Sequence, residues 1–185
     1  KSGESNIADR FSDVSVLFAD ISGFTEYSSN ISPKVIVEKL NNIFSVFDDL
    51  VDKYNVEKIK TIGDNYMIAS GIPYENKMHA ETIVEIALDM QEVITKIDKS
   101  LSLKIGISSG EIVAGVIGKR KFIYDLWGDT VNVASRMEKY GKNNKIQISS
   151  NTFNLIKNKF IFSSKNTLQI KGKGSMDTYF INSKK

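Results

Sequence analysis

Residues 56–71 place the tightest limit on the fold, because two β-prone runs are separated there by only two turn-forming residues. We predict strands over Val56–Ile62 and Asn65–Gly71, joined by a tight turn at Gly63-Asp64. A Gly-Asp pair between such runs is a β-hairpin signal. Asp64 then lies at the tip of the hairpin, where on its own it needs no role beyond forming the turn.

A second acidic residue, Asp20, indicates that Asp64 does more than form a turn. The run Val14–Ala19 is almost entirely apolar, as in a strand covered on both faces, and Asp20 leads from it into a glycine-containing loop. If this strand neighbours the hairpin, the two carboxylates converge, and no cation stands beside them in the sequence. Like charges brought that close must take up a proton or a metal ion. We interpret the pair as a metal site.

The loop after Asp20 indicates which chemistry such a metal site would serve. Backbone N–H groups of Ile21–Thr25 would lie beside the metal and suit phosphate oxygens. Carboxylates that hold a divalent pair next to a phosphate-binding loop suit a displacement at phosphorus. Because few protein oxygens are offered, Mg²⁺ is favoured over Ca²⁺, since Mg²⁺ keeps water and substrate phosphates as ligands.

The predicted elements follow the order β-α-β-β-α-β and then continue. Besides the hairpin, we predict strands over Phe11–Asp20, Leu103–Ser109, Glu111–Ile117, Phe122–Trp127, Ile146–Ile148, Thr167–Lys171 and Met176–Asn182, and helices from Ser32-Pro33 and over Asn76–Asp98, Val131–Tyr140 and Thr152–Asn158. The pair of strands on either side of Gly110 is expected to reverse there. The fold class is α+β, a ferredoxin-like βαββαβ core with a C-terminal α/β extension.

Length and composition restrict the class of protein. A chain of 185 residues is expected to form a single domain, and a net charge of +3 is too mild to imply a nucleic-acid partner. The absence of cysteine excludes a disulfide scaffold and a thiolate metal site, and it permits the cytoplasm. The chain starts without Met, so we expect a catalytic domain excised from a larger, sensor-linked protein. Any membrane contact would then belong to other parts of that parent protein.

Five segments, in order and at family-like spacing, carry a resemblance over nearly the whole chain. They are Phe18-Ala-Asp-Ile-Ser-Gly-Phe-Thr25, Lys58-Ile-Lys-Thr-Ile-Gly-Asp64, Ala114-Gly-Val-Ile-Gly118, Tyr124-Asp-Leu-Trp-Gly-Asp-Thr-Val-Asn-Val-Ala-Ser-Arg-Met137 and Lys171-Gly-Lys-Gly174. The chain resembles a class III nucleotidyl cyclase catalytic domain of the adenylate cyclase type. The resemblance implies conversion of ATP to 3′,5′-cyclic AMP and pyrophosphate by a two-metal mechanism, in a head-to-tail homodimer with active sites between the subunits.

The resemblance also implies a role for each matching residue. Asp20, Asp64 and the carbonyl of Ile21 would hold two Mg²⁺ or Mn²⁺ ions, and Gly23, Phe24 and Thr25 would bind the substrate. Lys60 and Asp125 would read the adenine edge, where guanine-selective cyclases tend to carry Glu and a Cys or similar small residue. Asn132 would orient the ribose, Arg136 would stabilise charge on the α-phosphate, and Lys171 would hold the terminal phosphates.

Other functions and other roles remain open at this point. The alternatives are a guanylate or dual-specificity cyclase, and an inactive nucleotide-binding regulatory domain, which would usually lack an Asp or the Asn/Arg pair. Arg136 could instead pair with Glu138, and Lys171 could be a solvated turn. We expect Tyr124 and Trp127 in the core or a dimer contact, and His79 to cap or pack. Ser108-Ser109-Gly110 departs from many relatives, which carry His or Asn before the glycine.

Overall fold

The computed structural model describes residues 8–24, 31–118, 120–170 and 174–185 and confirms the α+β class. The strands are β1 (Ala8–Ser22), β2 (Glu57–Ile62), β3 (Asn65–Ser70), β4 (Ser102–Ile117), β5 (Ile123–Trp127), β6 (Lys145–Ser149), β7 (Phe160–Phe162), β8 (Asn166–Ile170) and β9 (Gly174–Lys184). The helices are α1 (Pro33–Tyr54), α2 (His79–Ile97), α3 (Asp129–Lys139) and α4 (Ser150–Ile156). The three-residue β7 was not predicted.

The described strands form one sheet in the order β2-β3-β1-β4-β6-β9-β7, with β5 paired to β4 and β8 to β9. β1 pairs antiparallel with both β3 and β4, and β4 pairs in parallel with β6. The hairpin formed by β2 and β3 therefore lies directly beside β1, as convergence of the two aspartates requires.

The predicted reversal at Gly110 is wrong. β4 runs through Gly110 as a single strand of 16 residues, and β1 pairs with it on both sides of that glycine. Gly110 has a φ of +153°, and a Cβ there would lie 2.8 Å from the hydroxyl oxygen of Thr130. Glycine is needed here because the backbone has a positive φ and α3 approaches closely, and the strand continues past it.

The two faces of the sheet are covered differently. On one face, Leu17 and Ala19 of β1 pack with side chains of α1 and α2; on the other, Val16 and Phe18 pack with β5 and with Ala134 of α3. Because side chains alternate along a strand, Asp20 lies on the Phe18 face, the side that α3 covers. Among the described residues, none of the helices has both the length and the apolar composition needed to cross a membrane.

Candidate active site

The register of the sheet brings the two predicted metal ligands together. Asp20 pairs with Asn65 across β1 and β3, and the N–H of Ile21 donates to the carbonyl of Asp64 at 3.3 Å. Burial raises the pKa of Asp64, and the negative charge of Asp20 raises it further, against the opposing effects of a backbone hydrogen bond and Lys104. The two carboxylates therefore repel each other at neutral pH and favour a nearby cation.

The fold supplies one such cation that the sequence did not reveal. Lys104 of β4 faces Asp20 in the β1–β4 register, and its Nζ lies 3.5 Å from Oδ2 of Asp20 and 2.9 Å from Oε1 of Glu138. Burial opposes the charge on Lys104, but Glu138 and Asp20 outweigh it and raise the lysine pKa. A correct β1–β4 register, had it been inferred, would have placed Lys104 beside Asp20.

Glu138 reaches this cluster because α3 lies unusually close to β4. A Cβ on Gly106 of β4 would lie 1.9 Å from the backbone nitrogen of Glu138 and 2.5 Å from the carbonyl oxygen of Ala134. Only glycine allows that approach. Glu138 is buried, which raises its pKa, while the hydrogen bond and charge of Lys104 lower it.

The donor set formed by Asp20 and Asp64 suits a hard divalent ion. Carboxylate oxygens are ligands that Mg²⁺ accepts, and a site with few protein ligands leaves positions for water and phosphate oxygens. Among the described residues, no group of three or more His, Cys, Asp or Glu side chains forms a fuller metal cage. The Asp pair, rather than a protein-enclosed cluster, is thus the candidate metal site.

The loop that follows Asp20 is described only in part. Gly23 has a φ of +83°, in the left-handed region that glycine adopts without strain, and Phe24 is buried. Thr25 lies outside the described residues, as does Lys171, which follows β8. Their predicted roles remain predictions.

The two predicted base-reading residues lie in contact. Lys60 of β2 and Asp125 of β5 form an ion pair, with 2.5 Å between Nζ and Oδ2, and the second carboxylate oxygen of Asp125 accepts the N–H of Leu126 at 2.8 Å. The Asp125 side chain is 17% exposed and that of Lys60 is 34% exposed. The pair therefore presents a donor and an acceptor side by side in a partly desolvated position.

Asn132 and Arg136 lie one turn apart on α3, as their spacing predicts. Asn132 is exposed, whereas Arg136 is half-buried and its Nη1 is a buried donor that has no hydrogen-bond partner within the described part of the chain. The alternative partner of Arg136, Glu138, is engaged by Lys104. A buried guanidinium nitrogen that lacks an acceptor is suited to an anionic ligand.

The three remaining candidate residues contact other parts of the fold rather than the candidate site. His79 is buried at the start of α2, and Nδ1 lies 2.8 Å from the hydroxyl of Ser15, so it packs as expected. Tyr124 packs against the core on the α3 face, while Trp127 is 37% exposed and faces Val113 across β4 and β5.

The adenylate and guanylate cyclase catalytic domain family matches residues 7–183, almost the entire chain. The chain belongs to this family. The resemblance to class III nucleotidyl cyclases is thereby confirmed, and its members generally use divalent metal ions.

Individual relatives include both kinds of cyclase. This cyclase domain is 41% identical over 179 residues to an adenylate cyclase of Mycobacterium tuberculosis, and the match covers 95% of this chain and 40% of the relative. The chain thus spans less than half of that protein. The crystal structure of the guanylate cyclase domain of RhGC from Catenaria anguillulae in complex with GTP has a TM-score of 0.92 at 38% identity, over 96% of this chain and all of that one. The adenylyl cyclase CyaB from P. aeruginosa has a TM-score of 0.91 at 26% identity, over 96% and 97% of the two chains.

Proposed function

We propose that the domain is an adenylate cyclase, which converts ATP to 3′,5′-cyclic AMP and pyrophosphate. The observation that carries this proposal is the contact between Lys60 and Asp125. Lysine only donates hydrogen bonds and an ionised aspartate only accepts them. At C6, adenine carries an amine donor where guanine carries a carbonyl acceptor. The aspartate that accepts from adenine would thus face an oxygen of guanine, which leaves buried polar groups unmatched and disfavours GTP.

The other site residues are assigned to the ribose and the phosphates. Asn132 would orient the ribose so that its 3′-oxygen lies in line with the α-phosphorus, and the buried Nη1 of Arg136 would bind the α-phosphate oxygens as negative charge develops there. Lys171 would hold the terminal phosphates. Divalent ions held by Asp20, Asp64 and the Ile21 carbonyl, two per site and either Mg²⁺ or Mn²⁺, would supply activation of the 3′-hydroxyl and charge neutralisation.

A homodimer is part of the same proposal. The paired strands β4 and β5, with the residue just before β5, expose large apolar side chains, namely Val113, Ile117, Phe122, Ile123 and Trp127. A contiguous apolar surface of this kind marks a protein interface. Within one chain, Asp20 contacts Lys104 whereas Lys60 contacts Asp125, so the metal-binding and base-reading residues form two clusters. We assign each active site to the metal cluster of one subunit and to Lys60, Asp125, Asn132 and Arg136 of the other. A cysteine-free domain that consumes ATP suits the cytoplasm, the location we propose.

A product assay tests the substrate. Cyclic AMP from ATP and cyclic GMP from GTP are measured over a range of protein concentrations, with Mg²⁺ and separately with Mn²⁺. We expect cyclic AMP to predominate, and Asp125→Ala to reduce the preference for ATP by about tenfold or more, because the amine of adenine loses its acceptor. Ser135→Ala, an exposed change on α3, is the matched control.

A guanylate or dual-specificity cyclase is the second candidate. It is favoured by the high similarity to a guanylate cyclase domain crystallised with GTP. Cyclic GMP as the main product would establish it. Neither product, with both metals and at high protein concentration, would indicate the regulatory alternative.

A further inference from the structure

Lys104 stands between two carboxylates that belong to different elements. Its Nζ lies 2.9 Å from Glu138 of α3, at an ordinary hydrogen-bond distance, and 3.5 Å from Asp20 of β1, where any hydrogen bond is long and weak. The exposed fraction of the side chain falls from 27% for Asp20 to 22% for Lys104 and 11% for Glu138. The ammonium group therefore binds the more buried carboxylate more closely than it binds Asp20, the predicted metal ligand.

We propose that Lys104 and Glu138 form a charge-exchange pair: Lys104 neutralises Asp20 when no metal is bound, and Glu138 retains the lysine when a divalent ion takes its place. The proposal rests on the proposed metal site at Asp20 and Asp64. It makes Glu138 a positioning residue, which acts on the metal site through Lys104.

Electrostatics favours such an exchange. A divalent ion and an ammonium group repel each other strongly at the distances available around one carboxylate. Lysine carries its charge on a flexible stem, so its Nζ can withdraw from Asp20 by a small rotation and keep its hydrogen bond to Glu138. Among the described residues, Lys104 forms ion pairs with Glu138 and Asp20. Without Glu138, the lysine would keep the ion pair with Asp20 and would compete with the metal there.

The backbone holds Glu138 where this exchange needs it. The close approach of α3 over Gly106 fixes the Glu138 backbone against β4, the strand that carries Lys104. Both partners of the pair are thus on elements that pack directly against each other. Asn132 and Arg136 lie on the same helix, so the metal site and the helix that carries the phosphate-binding arginine share this contact.

Binding of Mn²⁺ alone, in the absence of nucleotide, tests the exchange. The dissociation constant is measured from the electron paramagnetic resonance signal of free Mn²⁺. Lys104→Gln removes the charge but keeps a donor for Glu138, and we expect it to tighten Mn²⁺ binding about tenfold. Lys104→Arg keeps the charge and should leave the constant near the wild-type value. Glu138→Gln should weaken Mn²⁺ binding about tenfold, because Lys104 then stays beside Asp20 and repels the metal ion.

The double variant Lys104→Gln/Glu138→Gln separates action through Lys104 from a direct effect of the Glu138 charge. We expect the effect of Glu138→Gln to shrink below about threefold in this background, since no lysine remains to be released. Lys96→Gln and Glu92→Gln, at an exposed ion pair on α2, are matched controls and should change nothing.

Two outcomes overturn the proposal in distinguishable ways. If wild-type protein does not bind Mn²⁺, or binds it equally well after Asp20→Asn, the metal site of the proposed function fails and the exchange fails with it. If Asp20→Asn abolishes binding but the effects of Lys104→Gln and Glu138→Gln simply multiply in the double variant, the metal site stands and the exchange is wrong.

Discussion

At the scale of single residues, the ionised side chain of Asp64 lowers the stability of the folded protein. Its pKa is raised by burial and by Asp20. A carboxyl group whose pKa is higher in the folded chain favours folding fully below its unfolded pKa, near 4, and this contribution is lost as the pH rises through the folded pKa. At neutral pH the ionised side chain therefore destabilises the folded state until a cation compensates it.

Asp64→Asn removes the charge and keeps the shape of the side chain. We expect cyclase activity to fall by about two to three orders of magnitude, because a metal ligand is lost. The melting temperature in metal-free buffer at pH 7 should stay the same or rise, because the repulsion with Asp20 is lost as well. Asp49→Asn, an exposed change on α1, serves as the control. Retained activity with a normal circular dichroism spectrum would refute the metal assignment.

At the scale of elements, the distance between α3 and β4 determines where three site residues lie. Asn132, Arg136 and Glu138 are all on α3. The contact at Gly106 leaves no room for a Cβ, because the nearest atoms are helix backbone, which cannot rotate away. Any side chain at position 106 must therefore displace the helix and all three residues together.

Gly106→Ala tests this contact. We expect a loss of about 1–3 kcal/mol in the free energy of unfolding, as for other overpacked cores, and a larger fractional loss of activity than of folded protein. Urea unfolding and product assays measure the two effects, with Ser135→Ala as the control on the exposed side of α3. Wild-type stability and activity in Gly106→Ala would show that α3 can shift without consequence.

A buried histidine at the start of α2 gives the fold a pH dependence. Burial lowers the pKa of His79, against a smaller raising effect of Asp13. In the unfolded chain His79 therefore binds a proton near pH 6.5, whereas in the folded chain it does so only at a lower pH. The free energy of unfolding falls as the pH drops from about 6.5 toward the lower folded pKa.

His79→Gln should flatten this dependence. Within the window below pH 6.5, one histidine contributes a slope of at most about 1.4 kcal/mol per pH unit. The midpoint of urea unfolding, measured between pH 7.5 and 5.5, should fall less steeply in His79→Gln than in the wild type, whatever the stability at pH 7.5. Equal slopes would mean that His79 titrates normally in the folded state.

At the scale of the whole molecule, the residues assigned to one active site lie in two clusters within each chain. Asp20 adjoins Lys104, which also contacts Glu138, and the charges of Asp20 and Lys104 act on Asp64, whereas Lys60 adjoins Asp125 on β5. The exposed apolar side chains of β4 and β5 offer a surface on which a second copy could complete the site. Under two-fold symmetry, each dimer then has two equivalent composite sites.

Mixing two inactive variants tests this arrangement. Asp20→Ala and Arg136→Ala chains should each be inactive, and an equal mixture should recover up to about a quarter of wild-type activity, because half of the dimers contain one intact site of two. A mixture of Asp20→Ala with Asp64→Ala must stay inactive, because both changes affect the same half-site. If the first mixture is also inactive although mixed dimers form, the composite site is wrong.

The order of the elements and most candidate site residues could be read from the chain because they depend on local patterns. An apolar run before Asp20, a turn at Gly63-Asp64 and the helical spacing of Asn132 and Arg136 each lie within a short stretch. The reversal predicted at Gly110 is wrong for the same reason. Within a short stretch, a glycine between two β-prone runs resembles a turn, and only its neighbours in space show that the strand continues.

Local patterns were enough to specify the α+β class, the family and the two candidate carboxylates, because apolar periodicity and short motifs lie within a few neighbouring residues. The surroundings of those carboxylates depend on how distant parts of the chain pack together. Lys104 is 84 positions from Asp20 and Glu138 is 34 from Lys104 (104 − 20 and 138 − 104), so no local pattern relates them. Sheet register and the close approach of α3 at Gly106 bring these charges together, and both arise from long-range packing.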